Sequence, residues 1–277
     1  MKSRLAASDA LYLKPLLFGL DRIESPFDLV TDVPAKNAIK LSERSDGIRN
    51  AFLSPIDYAR HGGLYRIVPN ICVASSIQTN TIQLILKSNL HNVERVAIDV
   101  RFTSEIILAK IILSEKYRNQ PMYSKLQFIP MLPDIDAMLA KADAALIVQD
   151  HPQMIGRAGT FSLDLVEEWN DLTGLPYIHG FWVGREEELS KTEAQALLTA
   201  KNNGVLLKSQ IAQSAAQQQN LSLSELISYL SSFSYDFSEK EEESLAEFIH
   251  YAYFHGVIGD LPEIIFFDVE TNNPSQN

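Results

Sequence analysis

Short apolar runs alternate with helical patterns over the first two thirds of the chain. The runs have the length and the β-branched and aromatic content of strands, and they are 27-FDLVTDV-33, 48-IRNAFLS-54, 65-YRIVPNICVA-74, 81-TIQLILKS-88, 93-VERVAID-99, 126-LQFIPM-131, 144-AALIVQD-150 and 177-YIHGFWV-183. Helical patterns lie between several of them, at 34–44, 103–117, 134–142 and 162–174. Strands separated by helices form βαβ units, so the pattern predicts an α/β fold with parallel sheets covered on both faces.

The last third of the chain has a different pattern. From Glu186 to about His255 it is almost wholly helical, with breaks predicted at 202-NNG-204 and near 219-QNLSLS-224. The piece 209-SQIAQSAAQQQN-220 could be a flexible tether, but we favour a solvent-facing helix because Ala and Gln are good helix formers. We expect the polar residues 269–277 to be a disordered tail.

Composition narrows the class of protein. The chain has 277 residues, of which 46% are hydrophobic, and this is enough for one large domain or two lobes with a sizeable core. The net charge of −11 argues against nucleic acid and anionic membrane as main partners. A small anionic substrate remains compatible with that charge, because a pocket can be locally positive.

Cysteine usage and hydropathy favour a soluble cytoplasmic protein. Cys72 is the only cysteine, so an intramolecular disulfide is impossible. Asp9 and Lys14 interrupt any apolar core near the N-terminus, so we expect no signal peptide. No apolar run approaches the ~20 residues that span a bilayer.

The stretch 99-DVRFTSEIILAKIIL-113 places two hydroxyl residues, Thr103 and Ser104, where a helix follows a strand. A helix N-terminus has free backbone N–H groups and a partial positive charge, so it suits a ligand's carboxylate. Thr and Ser also cap helices routinely, and from the residues alone capping is the simpler interpretation. Ser54 has the same two interpretations, because it ends a strand just before a helix start at Pro55.

An acid and an imidazole, Asp150 and His151, follow the apolar run at 144–150. Such a pair at a strand end could act as general acid or base. A solvated turn before Pro152 is the simpler interpretation, and adjacent strand residues point to opposite faces.

Other motifs argue against a cofactor or a metal. The histidines lack metal-ligand spacing, and there is no G-x-G-x-x-G, Walker loop or G-x-S-x-G sequence. We therefore expect neither, and we interpret Trp169 and Trp182 as core or lobe-interface residues.

An ordered series of segments resembles the family of chorismate dehydratases that open the futalosine route to menaquinone. The matching segments are 14-KPLLFGL-20, 51-AFLSPIDYAR-60, 65-YRIVPNICVAS-75, 84-LILKS-88, 96-VAID-99, 103-TSEIILAKIIL-113, 134-DIDAMLAKADAALIVQD-150 and 163-LDLVEEWNDLTGLPYIHGFWVGRE-186. The order and spacing hold over about residues 10 to 190. The resemblance implies a two-lobed type II solute-binding-protein-like fold, with mixed sheets flanked by helices and a helical C-terminal part.

The resemblance also implies a division into lobes. The first lobe is expected to comprise residues 1–80 and 181–268, and the second lobe residues 81–180. The two crossovers are expected around 78–86 and 176–182, and closure about them would exclude water from the cleft.

The family's activity implies a set of site residues. Elimination of water from chorismate needs carboxylate binding, a route for a proton and a dry cleft. The resemblance implies that Ser54, Thr103 and Ser104 face the cleft, and this shifts our interpretation of them towards ligand contact. The complete prediction has Tyr12, Asp150 and His151 as proton-handling residues and Ser54, Thr103, Ser104, Arg101 and Gln83 as substrate-binding residues. For Arg101, a surface position is the simpler interpretation.

Several positions depart from the family pattern. Without a gap, Tyr12 takes the place of a family Asn that lies in the active site, whereas with a two-residue deletion no residue takes that place. Phe102 replaces the Arg before Thr-Ser, Gln149 replaces the Gly before Asp150, and Gln83 replaces a common serine. These changes fall at the expected cleft, so they would change the ligand or the activity.

Three functional hypotheses follow. The first is a chorismate dehydratase-like lyase acting on a small anionic substrate as a monomer or homodimer, without nucleic acid or membrane partners. The second is a non-catalytic binding protein for a small aromatic or carboxylate ligand on the same fold. The third is the sister enzyme that cleaves a cyclic futalosine derivative, and the absence of its Pro-Asn-Asp-Thr signature places it last.

Overall fold

The fold was analysed in a computed structural model, which describes residues 2–22, 24–61, 63–87, 93–117, 126–149, 161–219 and 221–269. Two five-stranded mixed sheets are flanked by helices, as predicted. Within the described residues no helix is both long and apolar enough to cross a membrane. Residues 270–277 of the predicted tail lie outside the described residues.

The first sheet has the strand order β2-β1-β3-β10-β4. Its strands are β1 (Ser3–Ala7), β2 (Phe27–Thr31), β3 (Ile48–Leu53), β4 (Arg66–Ser75) and β10 (Tyr177–Gly184). The strands β1, β2 and β3 are parallel, whereas β10 runs antiparallel to both β3 and β4. The short β1 has no counterpart among the predicted strands, because SRLAA lacks a run of large apolar residues.

The second sheet has the strand order β7-β6-β8-β5-β9. Its strands are β5 (Ile82–Leu86), β6 (Arg95–Ile98), β7 (Gln127–Pro130), β8 (Ala144–Val148) and β9 (Phe161–Asp164). The strand β5 pairs antiparallel with β8 and β9. The strand-helix alternation alone predicted parallel sheets, but the antiparallel strands β5 and β10, which enter each sheet from the other, make both sheets mixed, as the family resemblance implied.

The helices complete the architecture. They are α1 (Lys14–Leu17), α2 (Pro34–Glu43), α3 (Pro55–Ala59), α4 (Thr103–Tyr117), α5 (Ile135–Lys141), α6 (Leu165–Thr173), α7 (Lys191–Leu206), α8 (Lys208–Gln219), α9 (Leu223–Ser231) and α10 (Glu239–Phe254), with short 3-10 helices at Leu11–Leu13 and Ser45–Gly47. The helix predicted over 162–174 begins only at Leu165, because β9 occupies the preceding four residues. Both Trp169 and Trp182 are fully buried, as predicted.

The C-terminal part is helical, as predicted, and the piece at 209–220 lies largely in the helix α8. The predicted break at 202–204 was wrong, because α7 continues to Leu206. A Cβ atom on Gly204 would lie 1.9 Å from the carbonyl oxygen of Pro15. This glycine therefore lets α7 approach α1 closely and does not end the helix.

The chain passes between the sheets twice. It leaves β4 at Ser75 and enters β5 at Ile82, and it returns between Thr173 and Tyr177. The predicted lobe boundary after residue 180 falls inside β10, which is a first-sheet strand.

Asp164 links the first crossover segment, between β4 and β5, to α6 through hydrogen bonds. It accepts hydrogen bonds from the backbone N–H groups of Thr79 and Asn80 at 3.0 and 2.6 Å, and its other oxygen caps α6. Burial raises the pKa of this carboxyl, and the bonds from these N–H groups partly offset that rise.

Candidate functional site

A cleft of about 470 Å³ lies between the two sheets. Its walls come from loops that follow β1 and β2 in the first sheet, and from residues near the ends of β6 and β8 in the second. The residues that line it are Ser8, Asp9, Ala10, Tyr12, Thr31, Asp32, Val33, Pro34, Phe102, Val148 and Gln149. Carboxyl ends of strands are where α/β sheets bind ligands, so this cleft is the candidate site.

The cleft mouth carries acidic side chains that are paired with lysines. Lys14 forms an ion pair with Asp9, and Lys36 and Lys40 lie 3.5 and 3.1 Å from the carboxylate of Asp32. A hydrogen bond from the Val33 N–H, together with these lysines, lowers the pKa of Asp32. The mouth is therefore electrostatically mixed rather than strongly positive.

The predicted hydroxyl residues meet around the carboxylate of Asp57. Ser54 Oγ donates to Asp57 Oδ2 at 2.6 Å and accepts from the Asp57 N–H at 3.4 Å, as the N-cap of α3. Thr103 Oγ1 donates to Asp57 Oδ1 at 3.0 Å. Asp57 is only 5% exposed, so both hydroxyls serve a buried protein carboxylate.

Ser104 is fully buried at the same junction. Its Oγ accepts a hydrogen bond from the backbone N–H of Ile56 at 3.1 Å. This bond joins the start of α4, next to the second sheet, to α3, next to the first. The hydroxyls of Ser54, Thr103 and Ser104 thus lie at one junction, and each has a partner within the protein. Their contact with substrate stays a prediction.

At its inner end the cleft narrows to a cavity of about 10 Å³. Its lining residues are Ser8, Tyr12, Pro34, Phe52, Ser54, Glu105 and His179. Ser8, Tyr12 and Pro34 line both spaces, so the cavity is the floor of the cleft. We call Tyr12, Glu105 and His179 the floor residues.

Aromatic packing holds Tyr12 and His179 in place. The ring of Tyr12 lies 5.3 Å from the rings of both His179 and Phe233. His179 Nε2 lies 2.9 Å from Ser75 Oγ, and its ring packs edge-on against Tyr177 at 5.0 Å. Tyr12 is thus on the cleft floor, where its predicted proton-handling role stays a prediction.

Burial shifts the pKa values on the floor. Desolvation raises the pKa of Glu105 to about 7, its own backbone N–H partly offsets this, and the charge of Asp57 adds to it. Desolvation lowers the pKa of His179 to about 3, so its imidazole is neutral at physiological pH. Burial also raises the pKa of Tyr177 well above its ordinary value.

Four predicted substrate-binding residues, Thr103, Ser104, Arg101 and Gln83, are not among the residues that line the cleft or its inner cavity. Arg101 is exposed, and its Nε donates to both carboxylate oxygens of Asp99 at 2.9 Å. Gln83 is buried in β5, where its Nε2 donates to Asn80 Oδ1 at 2.9 Å. The predicted catalytic residues Asp150 and His151 lie outside the described residues.

Asp57, Glu105 and His179 were not predicted as site residues from the sequence. One signal was available for Glu105, because it is the acidic residue in the first turn of a helix that is otherwise almost wholly apolar until Ser114. Asp57 and His179 carry no such signal, since their roles depend on partners far away in the chain. Across the described residues no group of three His, Cys, Asp or Glu side chains could hold a metal ion.

Comparison with known proteins is consistent with this geometry. The profile of a family described as menaquinone biosynthesis matches residues 3–254. A chorismate dehydratase of Thermus thermophilus is 26% identical over 260 residues, which cover 85% of this chain and 94% of that protein.

Solved structures show the same fold. A protein of Archaeoglobus fulgidus superposes with a TM-score of 0.73 at 17% identity, covering 93% of this chain and 98% of that one. The periplasmic aliphatic sulphonate binding protein of Escherichia coli superposes with a TM-score of 0.64 at 14% identity and 94% coverage of both chains. The fold is therefore periplasmic-binding-protein-like.

Proposed function

Because the chain belongs to the menaquinone biosynthesis family, we propose that it is a chorismate dehydratase-like lyase. It would eliminate water from chorismate to give 3-[(1-carboxyvinyl)oxy]benzoate on the futalosine route. We further propose that it works in the cytoplasm on this small anionic substrate, as a monomer or homodimer.

The observation that carries the proposal is the convergence of three distant segments on one cleft floor. Tyr12, Ser54 and Glu105 come from three parts of the chain and line the same small cavity. Two of these parts, around Ser54 and around Thr103, belong to the segments that resemble the chorismate dehydratases. The segments that carry the family resemblance therefore meet at the cleft between the two sheets.

Two features of the cleft support the proposed reaction. Removing a ring proton and expelling the hydroxyl makes the ring aromatic, which supplies the driving force. The first N–H groups of a helix have no partner within the helix, so those of α4 are suited to a substrate carboxylate. The buried floor excludes water and strengthens electrostatic contacts there.

Incubation of the purified protein with chorismate tests the proposal. We expect the chorismate absorbance to decline and mass spectrometry to identify a product that has lost one water. Calorimetry measures binding independently. A protein that neither consumes nor binds chorismate would contradict the proposal.

The second candidate is a non-catalytic binding protein for a small aromatic or carboxylate ligand. Tyr12 favours it, because in the ungapped match its ring, packed against His179 and Phe233, takes the place of the family's Asn. Chorismate that binds but is recovered unchanged after long incubation would support this candidate, whereas product formation excludes it.

A further inference from the structure

Ser54 places a hydroxyl on the floor of the cleft. It is 7% exposed and lines the inner cavity, whereas its partner Asp57 is not among the lining residues. Ser8, Tyr12 and Pro34 line this cavity and also the wider cleft, so a ligand in the cleft would have Ser54 at its inner end.

Asp57 restricts the hydrogen bonds that Ser54 can offer a ligand. A serine hydroxyl has one proton to donate and two lone pairs that accept. The proton of Ser54 goes to Asp57 Oδ2 at 2.6 Å, and one lone pair accepts from the Asp57 N–H at 3.4 Å. The lone pair that remains can only accept a hydrogen bond, so the ligand group beside it has to be a donor.

The carboxylate of Asp57 is itself held in place. Its other oxygen, Oδ1, accepts from Thr103 Oγ1 at 3.0 Å, and the residue is only 5% exposed. Turning the Ser54 proton towards a ligand would remove a charge-assisted hydrogen bond from a buried carboxylate, which is costly. Asp57 thus places the protein's own carboxylate between the two hydroxyls, where a ligand carboxylate would otherwise bind.

The charges around the floor also disfavour a ligand carboxylate. The described residues that line the inner cavity include no Lys or Arg, and burial lowers the pKa of His179 to about 3, so its imidazole is neutral. Glu105 lines the cavity, and the charge of Asp57 acts on it. A ligand carboxylate buried here would face acidic groups without a cation to pair with.

The size of the inner cavity leads to the same conclusion. Its volume of about 10 Å³ is at the lower limit for one water molecule, so it suits a single hydroxyl group. A carboxylate brings two oxygens on a planar carbon and would need the lining residues to move apart. The wider cleft has about 470 Å³ for such groups, and its mouth carries Lys14, Lys36 and Lys40.

We propose that the floor of the cleft is a subsite for one ligand hydroxyl, which donates a hydrogen bond to Ser54 Oγ. Asp57 is the specificity-determining residue, because its carboxylate takes the Ser54 proton and excludes a ligand carboxylate from this position. The inference goes beyond the proposed reaction, since it concerns binding alone. Chorismate carries one ring hydroxyl as well as two carboxylates, so it has the group that this subsite requires.

Three aromatic acids that differ only at ring position 3 test the preference. Benzoate has a hydrogen there, 3-hydroxybenzoate has a hydroxyl, and isophthalate has a second carboxylate. With Kd measured by calorimetry, we expect wild type to bind 3-hydroxybenzoate about five- to tenfold more tightly than benzoate, as one hydrogen bond allows. Isophthalate should bind at least about tenfold more weakly than 3-hydroxybenzoate.

Substitutions of Asp57 and Ser54 test whether these residues set the preference. In Asp57→Asn the negative charge is lost, and the amide can donate to one of the two hydroxyls, which frees the proton of that hydroxyl for a ligand. The ratio of the isophthalate Kd to the 3-hydroxybenzoate Kd should therefore fall by about tenfold, whereas Asp21→Asn, at an exposed position, should keep the wild-type ratio. In Ser54→Ala the advantage of 3-hydroxybenzoate over benzoate should disappear.

Each of these ratios compares ligands within one protein, so a general loss of stability does not reproduce the expected changes. The wild-type ranking needs no variant, and it tests the subsite even if a variant fails to fold. Isophthalate that binds as tightly as 3-hydroxybenzoate, or no binding of any of the three acids, would overturn the hydroxyl subsite. An unchanged Kd ratio in Asp57→Asn would overturn the role of Asp57.

These outcomes are separate from those of the dehydratase proposal. A protein that ranks the three acids as expected but leaves chorismate intact would contradict the dehydratase proposal alone. A protein that turns chorismate over but ranks the acids otherwise would contradict the hydroxyl subsite alone.

Discussion

Two adjacent groups of polar residues at the cleft differ in how their polar atoms are satisfied. In the first group, the hydroxyls of Ser54 and Thr103 donate to one carboxylate, that of Asp57. In the second, the floor residues Glu105 and His179 are buried without an ion-pair partner among the described residues, and burial shifts both pKa values. The first arrangement stabilises the junction of α3 and α4, whereas the second buries ionisable groups whose charged forms are unfavourable there.

Because of this difference, the residue of α4 that lines the cavity is not one of the two hydroxyl residues that the sequence favoured. Thr103 and Ser104 resemble an anion site in the sequence, yet their hydroxyls bond within the protein. Glu105, the next residue, lines the cavity. Perturbed pKa values cluster at functional sites, because function requires groups that the fold alone would not favour.

The largest expected effect is the dependence of stability on pH that comes from His179, one of the floor residues. Its pKa falls from 6.5 to about 3 on folding, so the unfolded chain binds a proton that the folded protein excludes. Stability is therefore unaffected above pH 6.5 and is lost as the pH falls below it, by roughly 4 kcal/mol at pH 3. In His179→Gln the free energy of unfolding, measured in urea, should decline less steeply between pH 6.5 and 4.

The exposed His250 provides the control for this measurement. Its replacement in His250→Gln should leave the wild-type slope unchanged. An equal slope in His179→Gln and wild type would show that His179 does not resist protonation.

Glu105 should have the opposite pH dependence. Its pKa rises from 4.5 to about 7 on folding, so its effect on stability is favourable at low pH and is lost as the pH rises through this window. Glu105→Gln should therefore be more stable than wild type at pH 8, by up to about 3 kcal/mol, with little gain at pH 4.5. Thermal unfolding at both pH values measures this, with Glu243→Gln on the exposed face of α10 as control. A variant less stable than wild type at pH 8 would contradict a raised pKa of the Glu105 carboxyl in the folded protein.

Asp57 accepts hydrogen bonds from the hydroxyls of the first group, and its charge acts on Glu105 in the second. In Asp57→Asn the hydroxyls of Ser54 and Thr103 lose their charged acceptor, which should cost about 2 kcal/mol in the free energy of unfolding. The loss of the Asp57 charge should also lower the pKa of Glu105, since that charge helps to raise it. The stability that is lost between pH 4.5 and 8 as Glu105 ionises should then be smaller in Asp57→Asn than in wild type. Asp21→Asn, at an exposed position, is the control, and an equal loss in Asp57→Asn and wild type would show that the Asp57 charge does not act on Glu105.

The smallest effect belongs to Thr103. Thr103→Val keeps the shape of the side chain and removes one hydrogen bond to Asp57, so it should cost about 1 kcal/mol. Thr199→Val, in which an exposed helix hydroxyl is removed, should change stability by less than about 0.5 kcal/mol. If Thr103→Val also raises the Kd for chorismate by about tenfold or more, Thr103 contacts the ligand as the sequence analysis predicted.

The local sequence was sufficient for elements with large apolar residues. The strand at 48–54 and the helix at 103–117 were predicted nearly to the residue, because the first is a short run that stops before Pro55 and the second is a long, largely apolar run. The missed strand β1 is short and carries two alanines, so it leaves no periodic signal. The false break at 202–204 has a tertiary cause, since Gly204 meets the backbone of Pro15.

The sequence by itself determined the alternation of strands and helices, the helical C-terminal part and the ordered segments that mark the family. These are properties of neighbouring residues, which local sterics and hydrophobic periodicity control. Only the tertiary structure decided that Thr103 meets Asp57, 46 residues away, and that Glu105 and His179 share a floor with Tyr12. Such contacts depend on how two sheets and their crossovers bring distant segments together, and burial at that meeting place then shifts the pKa values.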